Sequence, residues 1–378
     1  VSRVERGPLH VLVVDDSAVV RQSVTGILTS AGGFEVTPAA DPLIAMLRMR
    51  LRRPDVILLD LEMPRMDGLT FLRHVMATDP IPVVMLSSCP ERSADLSVRA
   101  LEEGAVELVT KPRVGARAFF EGIAPSLVAV LTAAASARPR PPVRSPGPVP
   151  ARASAIPAAG PAVSADRLVV VGASTGGTEA LRAILSALPV DAPGIIAVQH
   201  MPAPFTAAFA ARLAAECRIV VKEVEEGDVV RVGRALIAPG GRHTKVERRA
   251  GDLVATLTDG APIAHHRPSV DVLFHSAAIA AGDRALGVLL TGMGTDGADG
   301  MAALRRAGAP TLAQDEASCV VFGMPRAAIQ RDAVSEVVPL DRMPEAILER
   351  TGRATGAGRP GSDVSASAAP RVMGGHAR

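Results

Sequence analysis

Short runs of Val, Ile and Leu alternate with longer amphipathic stretches over most of the chain, and this rhythm predicts α/β architecture in two separate places. In the first, apolar runs fall at residues 9–14, 35–37, 56–59, 83–86 and 106–109, with helical periodicity between them. Five such βα units predict a doubly wound, five-stranded parallel sheet over residues 9–132. The rhythm stops between residues 133 and 165, where there are eight prolines, four arginines and much Ala and Ser, but no acidic or aromatic residue. Such a segment cannot bury enough apolar surface to order itself, and it reads as a flexible linker. Strand-like runs return at 168–171, 195–198, 219–221, 235–237 and 286–290, interleaved with helical patterns such as 179–188. These predict a second α/β domain over 166–351 with a mostly parallel sheet. The Gly/Ser/Ala/Arg-rich stretch 352–378 reads as a disordered tail.

Composition narrows the function classes. Lys plus Arg number 41 against 39 for Asp plus Glu, a net charge of +2, so whole-chain electrostatics call for neither nucleic acid nor an anionic membrane. Cys89, Cys217 and Cys319 are far apart and form no CxxC pair, which argues against a disulfide framework or a thiolate zinc site and suits a reducing cytoplasm. The first apolar run stops at Asp15 and Asp16, unlike a secretory signal. The most apolar later stretch, 123–135, carries Pro125 and falls short of the ~18 residues of a spanning helix, so no membrane insertion is expected.

In a doubly wound sheet, ligand groups gather beyond the carboxyl ends of the strands. Asp15 and Asp16 end the first predicted strand, Asp60 the third and Ser87 the fourth, and Lys111 follows the fifth. Any one of these alone reads equally well as a solvated turn. Together, three converging carboxylates are tolerable around a hard divalent cation such as Mg²⁺, with Asp60 as a nucleophile toward a small phosphodonor and Lys111 and Ser87 neutralising the transferred oxygens. The residues VLVVDDSAVVR, DVILLDLEMPRMDG, VVMLSS and VTKP, in that order and spacing, resemble the receiver domain of two-component response regulators. The resemblance implies a flavodoxin-like fold and phosphorylation of Asp60 by a histidine kinase. It also implies Mg²⁺ held by Asp15, Asp16, Asp60 and the Glu62 carbonyl, and a switch hydroxyl at Ser87, next to Ser88.

A second motif, Gly172-Ala173-Ser174-Thr175-Gly176-Gly177, joins a predicted strand to a predicted helix and reads as G-x-S-x-G. Alone it fits a nucleophile, a phosphate-binding loop or a plain turn. A serine nucleophile needs an imidazole base and an acceptor to fix the tautomer of that base. His200, in Gln199-His200-Met201-Pro202, and Asp296, in the loop from Thr291, both lie beyond strand ends and meet those needs. His243, His265 and His266 occupy polar, turn-like segments and read as rim or substrate contacts.

The segments VVGASTGGTEALR, VQHMP, APGGRH, HHRPSVDVLF, LTGMGTDGADGM and AQDEASCVVFGMPRAA resemble the protein-glutamate methylesterase domain of bacterial chemotaxis. The resemblance implies Ser174 as nucleophile, His200 as general base then acid, Asp296 as orienting carboxylate, and Thr175 and Met293 around the oxyanion. It implies methylated chemoreceptor glutamates as substrate, deamidation of receptor glutamines as a related activity, and no cofactor for the esterase. The order Ser, His, Asp differs from the usual α/β-hydrolase order, so a different sheet topology is expected. Thr295 stands where the family commonly has Asn. The tethering of a complete receiver to a complete hydrolase suggests that the receiver covers the Ser174 cleft until Asp60 is phosphorylated. Two other readings are a transcription regulator, which needs a helix-turn-helix and a basic face, and a nucleotide-dependent enzyme using Gly172 to Gly177, for which Asp191 is a poor ribose partner.

Overall fold

The computed structural model describes residues 7–87, 90–111, 116–137 and 167–352. The linker expected up to residue 165 lies outside these residues from 138 onward, as do the tail from 353, Ser88 and Cys89.

The N-terminal part alternates β1 (Leu9–Val14), α1 (Ala18–Ala31), β2 (Phe34–Ala39), α2 (Pro42–Leu51), β3 (Val56–Asp60), α3 (Gly68–Thr78), β4 (Val83–Ser87), α4 (Pro90–Glu102), β5 (Glu107–Thr110) and α5 (Ala116–Ala134). Parallel strands cannot be joined by tight hairpins, and each connection here is a helix. All strand pairs are parallel, in the order β2-β1-β3-β4-β5. Strands β3 and β4 are buried along their whole length, as continuous apolar runs covered on both faces must be. Short polar side chains start three of the helices: Ser17, Asp41 and Asp67 accept hydrogen bonds from the N–H groups of Val20, Ile44 and Thr70.

The C-terminal part runs β6 (Leu168–Ala173), α6 (Gly177–Ala187), β7 (Gly194–Gln199), α7 (Ala203–Glu216), β8 (Val220–Glu223), β9 (Arg234–Ile237), β10 (His243–Arg249), β11 (Asp252–Thr258), α8 (Val270–Ala281), β12 (Ala285–Leu289), α9 (Ala298–Arg306), β13 (Thr311–Gln314), α10 (Met324–Gln330), β14 (Glu336–Val338) and α11 (Met343–Arg350). Seven strands form one parallel sheet in the order β14-β13-β12-β6-β7-β9-β8, while β10 and β11 form a separate antiparallel hairpin. The sequence reading lacks the hairpin, β13 and β14.

Both sheets contain a topological switch point, where the chain leaves one strand in opposite directions and opens a crevice at the carboxyl ends. In the first it lies between β1 and β3, in the second between β6 and β12. Asp15 and Asp60 flank the first crevice, and the segments carrying Ser174 and Asp296 flank the second. Among the described residues no helix is long and apolar enough to cross a membrane.

Candidate functional site

At the first switch point Asp15, Asp16 and Asp60 present carboxylate oxygens that all lie within 4.8 Å of one another. Lys111 Nζ sits 2.7 Å from Asp15 Oδ2 and 2.8 Å from Asp60 Oδ2. Burial pushes the Asp60 carboxyl up to about 6 against the pull of Lys111, and the Asp15 charge adds to the rise. Asp15 Oδ2 receives no directed hydrogen bond, only this ion pair. One ammonium facing three carboxylates leaves excess negative charge and an oxygen with spare coordinating capacity, which fits a divalent cation bound by oxygen ligands. Gly68 is required beside this cluster, because a Cβ there would fall 2.1 Å from the Asp60 carbonyl oxygen. Ser87 Oγ accepts from Ser97 Oγ at 3.3 Å, and the Ser87 carbonyl accepts from Lys111 N at 2.6 Å.

At the second switch point, β6 ends in a turn held from several sides. Ser174 N donates to the Thr291 carbonyl, Gly177 N donates to the Ser174 carbonyl, and the Gln199 side-chain amide donates to the same Ser174 oxygen. The glycines here answer to side-chain packing, not to a phosphate. A Cβ on Gly172 would meet Val270, one on Gly176 would meet Val320, and one on Gly177 would meet Gln199 and Ala173, all within 3 Å. This removes the main reason for reading the turn as a nucleotide loop. Gly292 is just as confined, since a Cβ there would lie 2.7 Å from Ser174 Cβ.

His200 follows β7, and its Nε2 lies 2.8 Å from Asp296 Oδ2. Its Nδ1 is buried without a hydrogen-bond partner, so the Ser174 hydroxyl does not close onto it in this structure. Nδ1 is therefore the ring nitrogen left available, and Nε2 the one fixed by the carboxylate. The ring of His266 stacks on that of His200, with centroids 3.7 Å apart and planes 6° from parallel. Burial, then the His200 charge, pushes His266 down to about 4, which keeps the stacked ring neutral near pH 7.

Asp296 is held more closely than the sequence reading foresees. Its Oδ1 accepts from Ser269 Oγ at 2.8 Å and Asp271 N at 3.0 Å, and its Oδ2 accepts from Val270 N at 2.8 Å in addition to facing His200. Burial works to raise this carboxyl, but His200 and the two N–H groups opening α8 outweigh it and hold it below the usual range. Asp271 moves the opposite way, raised first by burial and also by the neighbouring Asp296 charge. His243 is not at a rim: it is buried, with Nδ1 accepting from Ser269 N and Nε2 donating to the Ala261 carbonyl. Thr295 is exposed and bonds Ala298 N through its carbonyl, so its side chain is not what holds Asp296. Met293 is half-buried beside Gly323, while Thr175 is buried.

The two halves meet at this second site. Thr175 Oγ1, next to Ser174, donates to Glu107 Oε2 at the start of β5, at 2.7 Å. Arg212 on α7 pairs bidentately with Glu102 at the end of α4, and the two helices pack together. A cleft of about 530 Å³ remains between the halves, lined by Leu101 and Val106 on one side and Arg182, Val320 and Leu340 on the other.

Two substitutions test this geometry. Gly176 has φ of 76° as well as the Val320 contact, so Gly176→Ala should destabilise the C-terminal part by about 1–3 kcal/mol, read as a lower urea midpoint. Ser269→Ala removes a hydrogen bond to a charged group worth about 1.5–3 kcal/mol, so turnover of an activated ester should fall about tenfold or more with KM unchanged. Unchanged turnover would mean that the remaining donors position Asp296 alone.

The family model for CheB methylesterase matches residues 169–347, and that for the response regulator receiver domain matches residues 11–118. A protein-glutamate methylesterase/protein-glutamine glutaminase from Anaeromyxobacter dehalogenans is 56% identical over 344 residues, covering 90% of this chain and 98% of its own. One from Geobacter metallireducens is 51% identical, covering 91% and 99%. The solved CheB methylesterase catalytic domain of Thermotoga maritima is 38% identical over 50% of this chain and 99% of its own, with a TM-score of 0.48. These matches lend nothing to a DNA-binding or nucleotide-dependent reading. The chain belongs to the CheB methylesterase family, with a response regulator receiver domain preceding the esterase domain.

Proposed function

We propose that this chain is a cytoplasmic, phosphorylation-controlled hydrolase that demethylates glutamate methyl esters, and deamidates glutamines, on chemoreceptors. The observation that carries the reading is the His200 to Asp296 pair beside Ser174, at the switch point of a parallel sheet. Ser174 Oγ attacks the ester carbonyl while His200 Nδ1 takes its proton, and Asp296 stabilises the imidazolium through Nε2. The Thr175 and Met293 backbone N–H groups, free of the hydrogen bonds that occupy Ser174 N and Gly177 N, suit the oxyanion. Methanol leaves with the proton from His200, and a water activated by the same nitrogen then frees the carboxylate. An amide passes through the same tetrahedral intermediate with ammonia as leaving group. These steps call on side chains and backbone alone.

In the receiver, Asp60 accepts a phosphoryl group from a histidine kinase, and Lys111, 2.8 Å from Asp60 Oδ2, and Ser87, at the end of β4, are the groups that would stabilise its oxygens. Asp15, Asp16 and Asp60 would hold Mg²⁺, which would supply charge neutralisation at the phosphoryl group. Ser174 is buried with the receiver in contact, and Glu107 and Arg212 hold the two halves together. On this reading the arrangement, with Ser174 buried and Thr175 beside it bonded to Glu107 of the receiver, is the resting state.

Methanol release from methylated chemoreceptor membranes tests the reading, with and without a small phosphodonor and Mg²⁺. Release should rise with phosphodonor, vanish in Ser174→Ala and lose its stimulation in Asp60→Asn. A folded wild-type protein inactive on several receptors would sink the assignment. Arg212→Glu should raise release without phosphodonor several-fold, since a partly buried bidentate pair is worth about 1–2 kcal/mol. Unchanged basal release would show that this contact does not restrain the esterase.

A further inference from the structure

Helix α2 is anchored by one face and bare on the other. Pro42 and Ala45 are buried, and Met46 and Met49 pack against the core. Opposite them, Leu43, Leu47 and Leu51 stand one turn apart and are 50%, 59% and 80% exposed, with Ile44 beside them at 37%. At 100° per residue these four aliphatic side chains span a continuous stripe about 100° wide, as broad as the core-facing stripe of an ordinary surface helix. Arg50 borders the stripe on one side and Arg48 on the other, both exposed and neither in an ion pair among the described residues. Their neighbours Arg52 and Arg53 are already paired, with Glu35 and Asp79.

We infer that this face of α2 is a docking surface for an acidic amphipathic helix of a partner protein. Just over two turns of aliphatic stripe match the apolar face of such a helix, and two arginine forks flanking the stripe match carboxylates on its borders. Charge sets the other occupants aside. A second copy would bring the same unpaired arginines into contact. The chain's own segments outside the described residues do not complement it either: 138–165 holds four arginines and no acid, and 353–378 holds four arginines against one aspartate. A lipid surface is matched less well, since the helix carries neither lysine nor an aromatic residue. The surface is also accessible in the closed arrangement. Strand β2, against which α2 packs, is one edge of the receiver sheet, while the esterase half meets α4 and β5 at the opposite edge.

The probe is a synthetic, fluorescein-labelled helical peptide with leucines at matching spacing and glutamates on both borders, titrated against the full chain by anisotropy. Control peptides carry glutamine or lysine in place of glutamate. The glutamate peptide should bind wild type more tightly than either control. Leu47→Ser with Leu51→Ser should weaken it by at least about tenfold, the usual scale for losing the centre of an interface. Arg48→Glu with Arg50→Glu should shift the preference to the lysine peptide. Phosphorylation of Asp60 by a small phosphodonor reports that each variant is folded. The proposal is overturned if all three peptides bind alike, or if the variants bind as wild type does. It is equally overturned if wild type takes up no peptide but dimerises through Leu47 or binds phosphatidylglycerol vesicles through Arg48 and Arg50. The readout is binding, so it stands or falls independently of the esterase reading.

Discussion

A carboxylate with almost no access to water can stay ionised only if the protein supplies the donors that water would have supplied. Asp296 meets that condition with Ser269 Oγ, the N–H groups of Val270 and Asp271, and His200. The two N–H groups are among the four that every helix leaves unpaired at its start, here that of α8. One side chain therefore completes a helix end and orients an imidazole. It also ties the loop after β12 to α8 and to the end of β7. Ser269 takes part twice, since its Oγ also accepts from Val272 N as the cap of α8. His243 fixes Ser269 from behind.

The same topological device serves both halves of the chain. In each parallel sheet the chain reverses its direction of travel once, and the crevice so formed collects groups from strands distant in sequence. In the receiver it brings carboxylates together, and an ammonium partly compensates them. In the esterase it brings a serine turn and a carboxylate loop to either side of one crevice, with an imidazole from the next strand. Glycine is then forced where these loops crowd. Gly292 must pass the Ser174 Cβ, and Gly68 must pass the Asp60 carbonyl.

What the sequence makes legible follows from how local each signal is. The run 9–14 coincides with β1, and 286–290 lies one residue beyond β12 (Ala285–Leu289), because buried parallel strands are continuous apolar runs. Strand β13, TLAQ, has two apolar residues between polar ones, and β14, EVV, has two after an acid, so neither makes the continuous apolar run that marks a buried strand. Strand β10, HTKVERR, looks like a charged loop because most of its polar side chains face outward, and its turn rests on left-handed Ala250 and Gly251. At the site, Ser174, His200 and Asp296 each follow an apolar run, so the parallel-sheet rule points to them. The sequence reading lacks Ser269, although a serine just before an apolar helix is the usual mark of an N-cap. That its hydroxyl also reaches a carboxylate 27 positions away is a tertiary fact with no local trace, as are the stacking of His266 and the burial of His243.

Strand β5 links the two halves physically. Glu107, at its first residue, accepts from Thr175 beside Ser174, and Lys111, just past its last, pairs with Asp60. At ~3.3 Å per residue the two ends lie about 13 Å apart along one rigid, hydrogen-bonded element. A phosphoryl group on Asp60 would add charge at the Lys111 end and draw the ammonium away from the two carboxylates it now bridges. The other contact, Glu102 with Arg212, sits at the end of α4, only five residues before Glu107. Among the described residues, the two carboxylates that bond the esterase half, Glu102 and Glu107, thus lie on one α4 to β5 segment, whose far end lies at Asp60. Any shift of that segment acts on both contacts together, so release of Thr175 and release of Arg212 are coupled by chain connectivity and need no longer path through the core.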